Sequence, residues 1–132
     1  MRLVKIIKFN INSDKRGSLI SIESKNSVPF NIKRIYYIHN IQTGISRGFH
    51  AHKKLYQLMI AISGKCRVIL DNGIKREEVW LKTPDEGLLV KNMIWREMHN
   101  FSPDCILLVL ASQIFNKNDY IRDYKEFIKL VN

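Results

Sequence analysis

Apolar and polar positions alternate along most of this chain in short runs, each closed by turn-forming residues. The runs are RLVKIIKF (2–9), SLISIE (18–23), NIKRIYYIH (31–39), GFHAH (48–52), LYQLMIAI (55–62), KCRVILD (65–71), IKREEVWL (74–81), GLLV (87–90), IWREMHNF (94–101) and CILLVLAS (105–112). A period of two sends successive side chains to opposite faces, so each run predicts a β-strand. Strands at this regular spacing predict an antiparallel sandwich or barrel. Asn72-Gly73 predicts a tight hairpin of type I′, whose two central residues both need positive φ. Ser63-Gly64 marks a second tight turn, and Pro84-Asp85-Glu86-Gly87 a loop. The period changes at the tail. Tyr120, Tyr124, Phe127, Ile128 and Val131 fit one apolar face of a helix, with Asn118 as its N-cap. The predicted fold is all-β: a small antiparallel jelly roll closed by a short C-terminal helix.

Composition narrows this picture. The 132 residues suit a single domain spanning 1–132, with 45% apolar and 26% charged residues. No apolar run approaches the roughly 18 residues that span a bilayer. Lysines thread the N-terminal apolar run, which therefore reads as a first strand and not as a signal peptide. Cys66 and Cys105 each lie in an apolar strand and are expected to be reduced core thiols, which makes the cytoplasm the default location. The net charge is +10, and it is unevenly spread. Residues 1–76 carry 15 Lys/Arg against 3 Asp/Glu, whereas residues 77–132 carry 7 against 9. A basic first half suits an anionic partner such as a nucleotide, a phosphorylated metabolite or nucleic acid.

The stretch RGFHAHKKLYQ (47–57) holds two of the four histidines, His50 and His52, one residue apart. On a strand they share a face, about 6–7 Å apart along the backbone. Arg34 and Tyr36 share a face of NIKRIYYIH in the same way. A narrow barrel lined by two histidines, an arginine and a tyrosine has an active-site lining.

In jelly-roll cupins, H-x-H followed by a Glu and a later His binds a divalent metal. Here Gln57 takes the place of the Glu, and Arg96 falls near the third His. A neutral amide is a poor ligand, and a guanidinium has no lone pair to give. Neither a metal nor any other cofactor is expected. Without one, a neutral imidazole can take and return a proton near neutral pH. Two of them over one substrate could move protons along a keto–enol system, with guanidinium groups and Tyr36 stabilising the enolate.

The segments DKRGSLISIE, VPFNIKRIYYI, RGFHAHKKLYQLMIAISGKCRVILDNG, GLLVKNMIWREMHNF and DCILLVLAS…DYIRDY, in this order and spacing, resemble the dTDP-4-dehydro-6-deoxyglucose 3,4-ketoisomerases. The resemblance implies a metal-independent cupin and a homodimer with an exchanged N-terminal strand. The implied substrate is a dTDP-linked 4-keto-6-deoxyhexose, and the product a 3-keto sugar destined for dideoxy-amino sugars of the cell surface. It implies His50 as the carbon base, with His52 and Tyr36 shuttling the hydroxyl proton, although either histidine could take either part. Arg34 and Arg47 are the expected diphosphate clamp. Arg16 and Arg96 are expected nearer the sugar, and Gln57 is counted with the substrate-contacting residues. In the family, the positions of Arg16 and Arg96 vary with the configuration at C4. Here Arg16 matches the galacto type and Arg96 the gluco type.

Lys53, Lys54, His39 and His99 are expected to be solvated or structural, and Trp95 to lie in the core or at the rim. Two other readings stay open. One is another nucleotide-sugar cupin enzyme such as a 3,5-epimerase, which would want a His–Asp dyad; no acidic residue neighbours the histidines in sequence. The other is a non-catalytic ligand-sensing cupin or nucleic-acid binder, though no recognisable nucleic-acid motif is present. Neither nucleic acid nor a membrane is an expected partner.

Overall fold

A computed structural model describes residues 2–132. Strands β1 (Ile6–Lys8), β2 (Asn12–Asp14), β3 (Gly17–Leu19), β4 (Arg34–Ile38), β5 (Arg47–His52) and β6 (Gln57–Ser63) make up the first half. They are followed by β7 (Cys66–Asp71), β8 (Arg76–Leu81), β9 (Glu86–Val90), β10 (Trp95–His99), β11 (Ile106–Ala111) and β12 (Tyr120–Ile121), and then by helix α1 (Tyr124–Val131). Two five-stranded antiparallel sheets, ordered β1-β9-β6-β11-β4 and β12-β5-β10-β7-β8, form the jelly roll. A separate ribbon pairs β2 with β3. No helix among the described residues is long and apolar enough to cross a membrane.

The inner faces divide the barrel into two zones. Met59, Ala61, Val68, Leu70, Leu88, Val90, Met98, Leu107 and Val109 fill one end as a closed apolar core. Cys66 and Cys105 lie in that core as free, buried thiols. Along β4, β6 and β10 the same faces turn polar at the other end, through Arg34 and Tyr36, Gln57, and Arg96.

LYQLMIAI reads as nearly continuous because β6 is buried on both faces. Leu58 and Ile60 point outward and are covered by Val28 and Phe30, with Ile20, Ile22 and Ile32 packed around them. Residues 20–32 thus form an irregular cover over the sheet, and the predicted strand 18–23 pairs only as far as Leu19.

The hairpin at Asn72-Gly73 and the start of the helix need correction. The predicted type I′ turn is a four-residue loop. Asp71 pairs with Arg76, Gly73 has φ +92° but Asn72 does not have positive φ, and the Asn72 side chain accepts the N–H groups of Ile74 and Lys75. The tight turn at Ser63-Gly64 is present, with Gly64 at φ +67°, and carries the chain from one sheet to the other. The predicted helix also starts later than its apolar spacing suggests. Asn116, not Asn118, caps a 3-10 turn at Lys117–Asp119, Tyr120 joins β12, and Asp123 caps α1. Phe127, fully buried, anchors α1 against Ala51, Trp95 and Ile121 on the outer face of the second sheet.

Candidate active site

The motif RGFHAH builds the site through a β-bulge. Arg96 of β10 pairs with His50 and Glu97 with Gly48, so Phe49 is the extra residue. Gly48 (φ +92°) and Phe49 (φ +58°) both take left-handed backbone. A Cβ on Gly48 would meet the Arg96 carbonyl oxygen at 3.0 Å and the Met98 sulfur at 3.1 Å. Glycine is therefore required there. The bulge restores the alternation, so that Arg47, opposite the core residue Met98, lies in register with the inward face that carries His50 and His52.

The two imidazole rings lie edge to face with centroids 4.9 Å apart. His50 Nδ1 donates to the Gly48 carbonyl at 3.0 Å, and His52 Nδ1 donates to the Asp119 carboxylate at 3.2 Å. An acceptor at each Nδ1 fixes the proton there and leaves each Nε2 with a bare lone pair. His52 Nε2 is buried and unpartnered among the described residues. Burial, reinforced by the Arg96 guanidinium, pushes the His50 pKa down to about 4 and holds His52 far below its usual value. Both rings are neutral bases at cellular pH.

Opposite them runs a directed hydrogen-bond chain. Arg96, fully buried, donates Nη1–H to Gln57 Oε1 and two further N–H groups to the Ile94 carbonyl. With its oxygen occupied, the Gln57 amide presents its nitrogen and donates to Tyr36 Oη at 3.0 Å. The phenol accepts at its oxygen, so its own proton is free for another acceptor. Burial raises the Tyr36 pKa, which keeps that proton in place. Arg96 itself is lowered to about 10, chiefly by burial, and stays charged.

His50 and His52 touch each other, Arg96 lies opposite His50 across the strands, and hydrogen bonds link Arg96 through Gln57 to Tyr36. The Arg34 guanidinium lies between the rings of Tyr36 (5.0 Å) and Phe115 (5.5 Å). Arg47 is exposed at the start of β5, opposite Met98. Arg16 is not brought to the pair: it lies in the turn of the β2–β3 ribbon, 90% exposed in its side chain and paired with Asp14. Lys53, Lys54 and His39 are exposed, His99 bonds Ser46 and Glu97, and Trp95 is buried against Tyr124 and Phe127.

Three contributors escaped the sequence reading. Asp119 reaches His52 across 67 residues, and Tyr120 packs on both imidazoles (5.0 and 4.3 Å) with the Arg122 guanidinium over its ring at 4.2 Å. All three lie in DYIRDY, one of the segments that carried the resemblance, but no spacing ties that segment to the histidines. Among the described residues no three His, Cys, Asp or Glu side chains converge as metal ligands. The donor set around the pair, an amide and a guanidinium, does not fit a cation.

Residues 2–132 match the family model described as FdtA: WxcM-like, C-terminal. The chain belongs to this family. It is 48% identical over 127 residues to the TDP-4-oxo-6-deoxy-alpha-D-glucose-3,4-oxoisomerase of Aneurinibacillus thermoaerophilus, covering 96% of this chain and 91% of that one. Its structure resembles the 3,4-ketoisomerase QdtA of Thermoanaerobacterium thermosaccharolyticum with a TM-score of 0.96 and 40% identity, over 99% and 95% of the two chains. That structure is of a histidine-to-asparagine mutant in complex with TDP-4-keto-6-deoxyglucose. A dTDP-4-dehydrorhamnose 3,5-epimerase of Bacillus anthracis shares the fold at 15% identity, with a TM-score of 0.76 over 89% and 76% of the chains.

Proposed function

We infer that the chain is a dTDP-sugar 3,4-ketoisomerase that converts dTDP-4-keto-6-deoxyglucose into a dTDP-3-keto-6-deoxyhexose in deoxysugar biosynthesis. One observation carries this reading beyond family membership. Two neutral imidazoles, each with its Nδ1 bonded and its Nε2 without a partner among the described residues, lie beside a buried guanidinium that is tied through Gln57 to a phenol with a proton to give. Those are the parts an enediol isomerisation needs, and it needs no redox partner.

His50 Nε2 takes the C3 proton, and the electron pair of that bond becomes the C3–C4 double bond as O4 takes up negative charge. Tyr36 and Arg96 stabilise O4. His52 removes the O3 proton, the electrons return to form the C3 carbonyl, and His50 delivers its proton to C4. The proton held by His52 reaches O4 by way of Tyr36. Atoms and charge balance, and both rings end neutral. Arg34 and Arg47 hold the diphosphate, and Gln57 orients Tyr36.

The protein acts as a homodimer in the cytoplasm. Strand β1 lies on β9 of its own chain, whereas the β2–β3 ribbon is exposed on both strands, with Leu19 59% exposed. A lone two-stranded ribbon is marginal in water. Docked on the partner, it would carry Arg16 to the partner's sugar.

The His52–Asp119 contact also suits a 3,5-epimerase, and one experiment separates the two. The protein is incubated with dTDP-4-keto-6-deoxyglucose in D2O and the product read by NMR. A carbonyl at C3 with protium kept at C5 is expected, and the same spectrum gives the C4 configuration. Deuterium at C5, or no conversion, would sink the ketoisomerase reading.

A further inference from the structure

Asp119 is a carboxylate only 7% exposed, and a charge that deep requires compensation. Its Oδ1 accepts the Lys54 N–H at 2.9 Å, and its Oδ2 accepts the Leu55 N–H at 3.3 Å. Its carbonyl accepts the Lys53 N–H at 2.9 Å. The 3-10 turn Lys117–Asp119, capped by the Asn116 side chain, delivers it to this place. Among the described residues its one ionisable partner is His52, at 3.2 Å. The backbone bonds fix both carboxylate oxygens, and the fixed Oδ2 in turn fixes the ring.

The two imidazoles are therefore not equivalent. His50 owes its tautomer to the neutral Gly48 carbonyl, which holds a proton in place but brings no negative charge. His52 faces a full negative charge. Its Nε2, buried and unpartnered beside the rings of His50 and Tyr120, lacks only a donor, and a sugar hydroxyl would supply one.

We propose that Asp119 is the positioning residue of the isomerisation: it locks His52 as the Nδ1–H tautomer and balances the imidazolium formed when Nε2 takes the O3 proton. This rests on the ketoisomerase reading. The proton leaves O3 for Nε2 while the O–H electron pair becomes the new C3 carbonyl, and it then passes on towards O4. Asp119 stays ionised throughout. The division of labour follows: His52 holds the hydroxyl proton, and His50 is left with the carbon.

The test is Asp119→Asn with histidine-labelled protein. If the amide nitrogen takes the place of Oδ2, it opposes the Leu55 N–H and forces His52 to the Nε2–H form. If it takes the place of Oδ1, it opposes the Lys54 N–H. The 15N shifts of His52 in the wild type should report Nδ1–H, and in the variant a mixed or Nε2–H ring. Turnover should fall about 10²–10⁴-fold, the range for a base held in the wrong tautomer, with KM for the dTDP sugar within about threefold. A kcat within about threefold of wild type would overturn the proposal. So would an Nε2–H ring in the wild-type protein, a measurement that holds even if the variant does not fold. Wild-type protein that leaves the sugar unconverted would instead refute the ketoisomerase reading, and its His52 tautomer would still decide whether Asp119 sets the ring.

Discussion

Replacing Arg96 with Met should cost far more in activity than in stability. Arg96 is fully buried, and among the described residues no carboxylate lies within ion-pair distance of it. Burial lowers its pKa from 12.5 to about 10. At about 1.4 kcal/mol per pH unit, that corresponds to roughly 3 kcal/mol spent keeping the charge in the fold. Both folded and unfolded chains are protonated below pH 10, so the whole penalty is present at neutral pH. Methionine removes it and fills similar space beside Leu70, the cross-strand partner of Arg96. Against this, Gln57 Oε1 and the Ile94 carbonyl lose their donors, at about 1–3 kcal/mol each. The terms offset to within about 3 kcal/mol, which for a chain of this size is about 15 °C in Tm or less.

Activity has no such compensation. Loss of a preorganised cation at the developing enolate costs about 10²–10³ in kcat. Gln57 is also freed to turn, so the Tyr36 proton loses its direction. Burial depresses both histidines most and Arg96 adds to it, so without the guanidinium their pKa values rise part of the way back and the acid limb of kcat/KM should move to higher pH. The assay pairs thermal unfolding at pH 7.5 with kcat/KM between pH 4.5 and 8. A variant whose Tm collapses in step with its activity would show that Arg96 holds the barrel together and would refute this reasoning.

Other outcomes follow from the same geometry. His50→Asn should abolish turnover while dTDP affinity stays within a few-fold, because the proposed role of the ring is at the sugar carbon and not at the diphosphate; retained activity would remove His50 as the carbon base. Arg47→Ala should weaken dTDP binding about 10–100-fold, the worth of one charge-assisted hydrogen bond, as read by calorimetry; unchanged affinity would move the clamp elsewhere. Phe127→Ala should cost about 3–5 kcal/mol in denaturant unfolding, since its ring is fully enclosed by Ala51, Trp95 and Ile121. Stability should also drop as pH falls from 6.5 toward 4.5. The native rings resist protonation there while the unfolded chain takes protons up, so a pH-independent unfolding midpoint over that window would contradict the neutral pair.

Which of these residues could be read from the sequence depended on how local their geometry is. The period of two placed Arg34 with Tyr36 and His50 with His52, because a strand's faces are settled by its own backbone. It could not show that Phe49 bulges, and only the bulge brings Arg47 into the inward register. Helical spacing misled at Tyr120. Its distance from Tyr124 and Phe127 suits a helix, but pairing with His52 satisfies its backbone first. Ile20 and Ile22 alternate like a strand and are instead part of a cover over Leu58 and Ile60.

The same contrast between local and distant geometry explains how a barrel this small keeps two bases neutral and aligned. Each histidine is placed by its strand, but neither strand supplies what sets its chemistry. Arg96 comes from the neighbouring β10, and Asp119 from a turn 67 residues beyond His52. The closed apolar end, from Met59 to Val109, keeps the polar end dry enough for burial, with one guanidinium adding to it, to hold down the pKa of two imidazoles. In bulk water the same charges would barely interact at this range. Substitutions that loosen the core below the site should thus act on the histidines' titration before they act on contacts with the sugar.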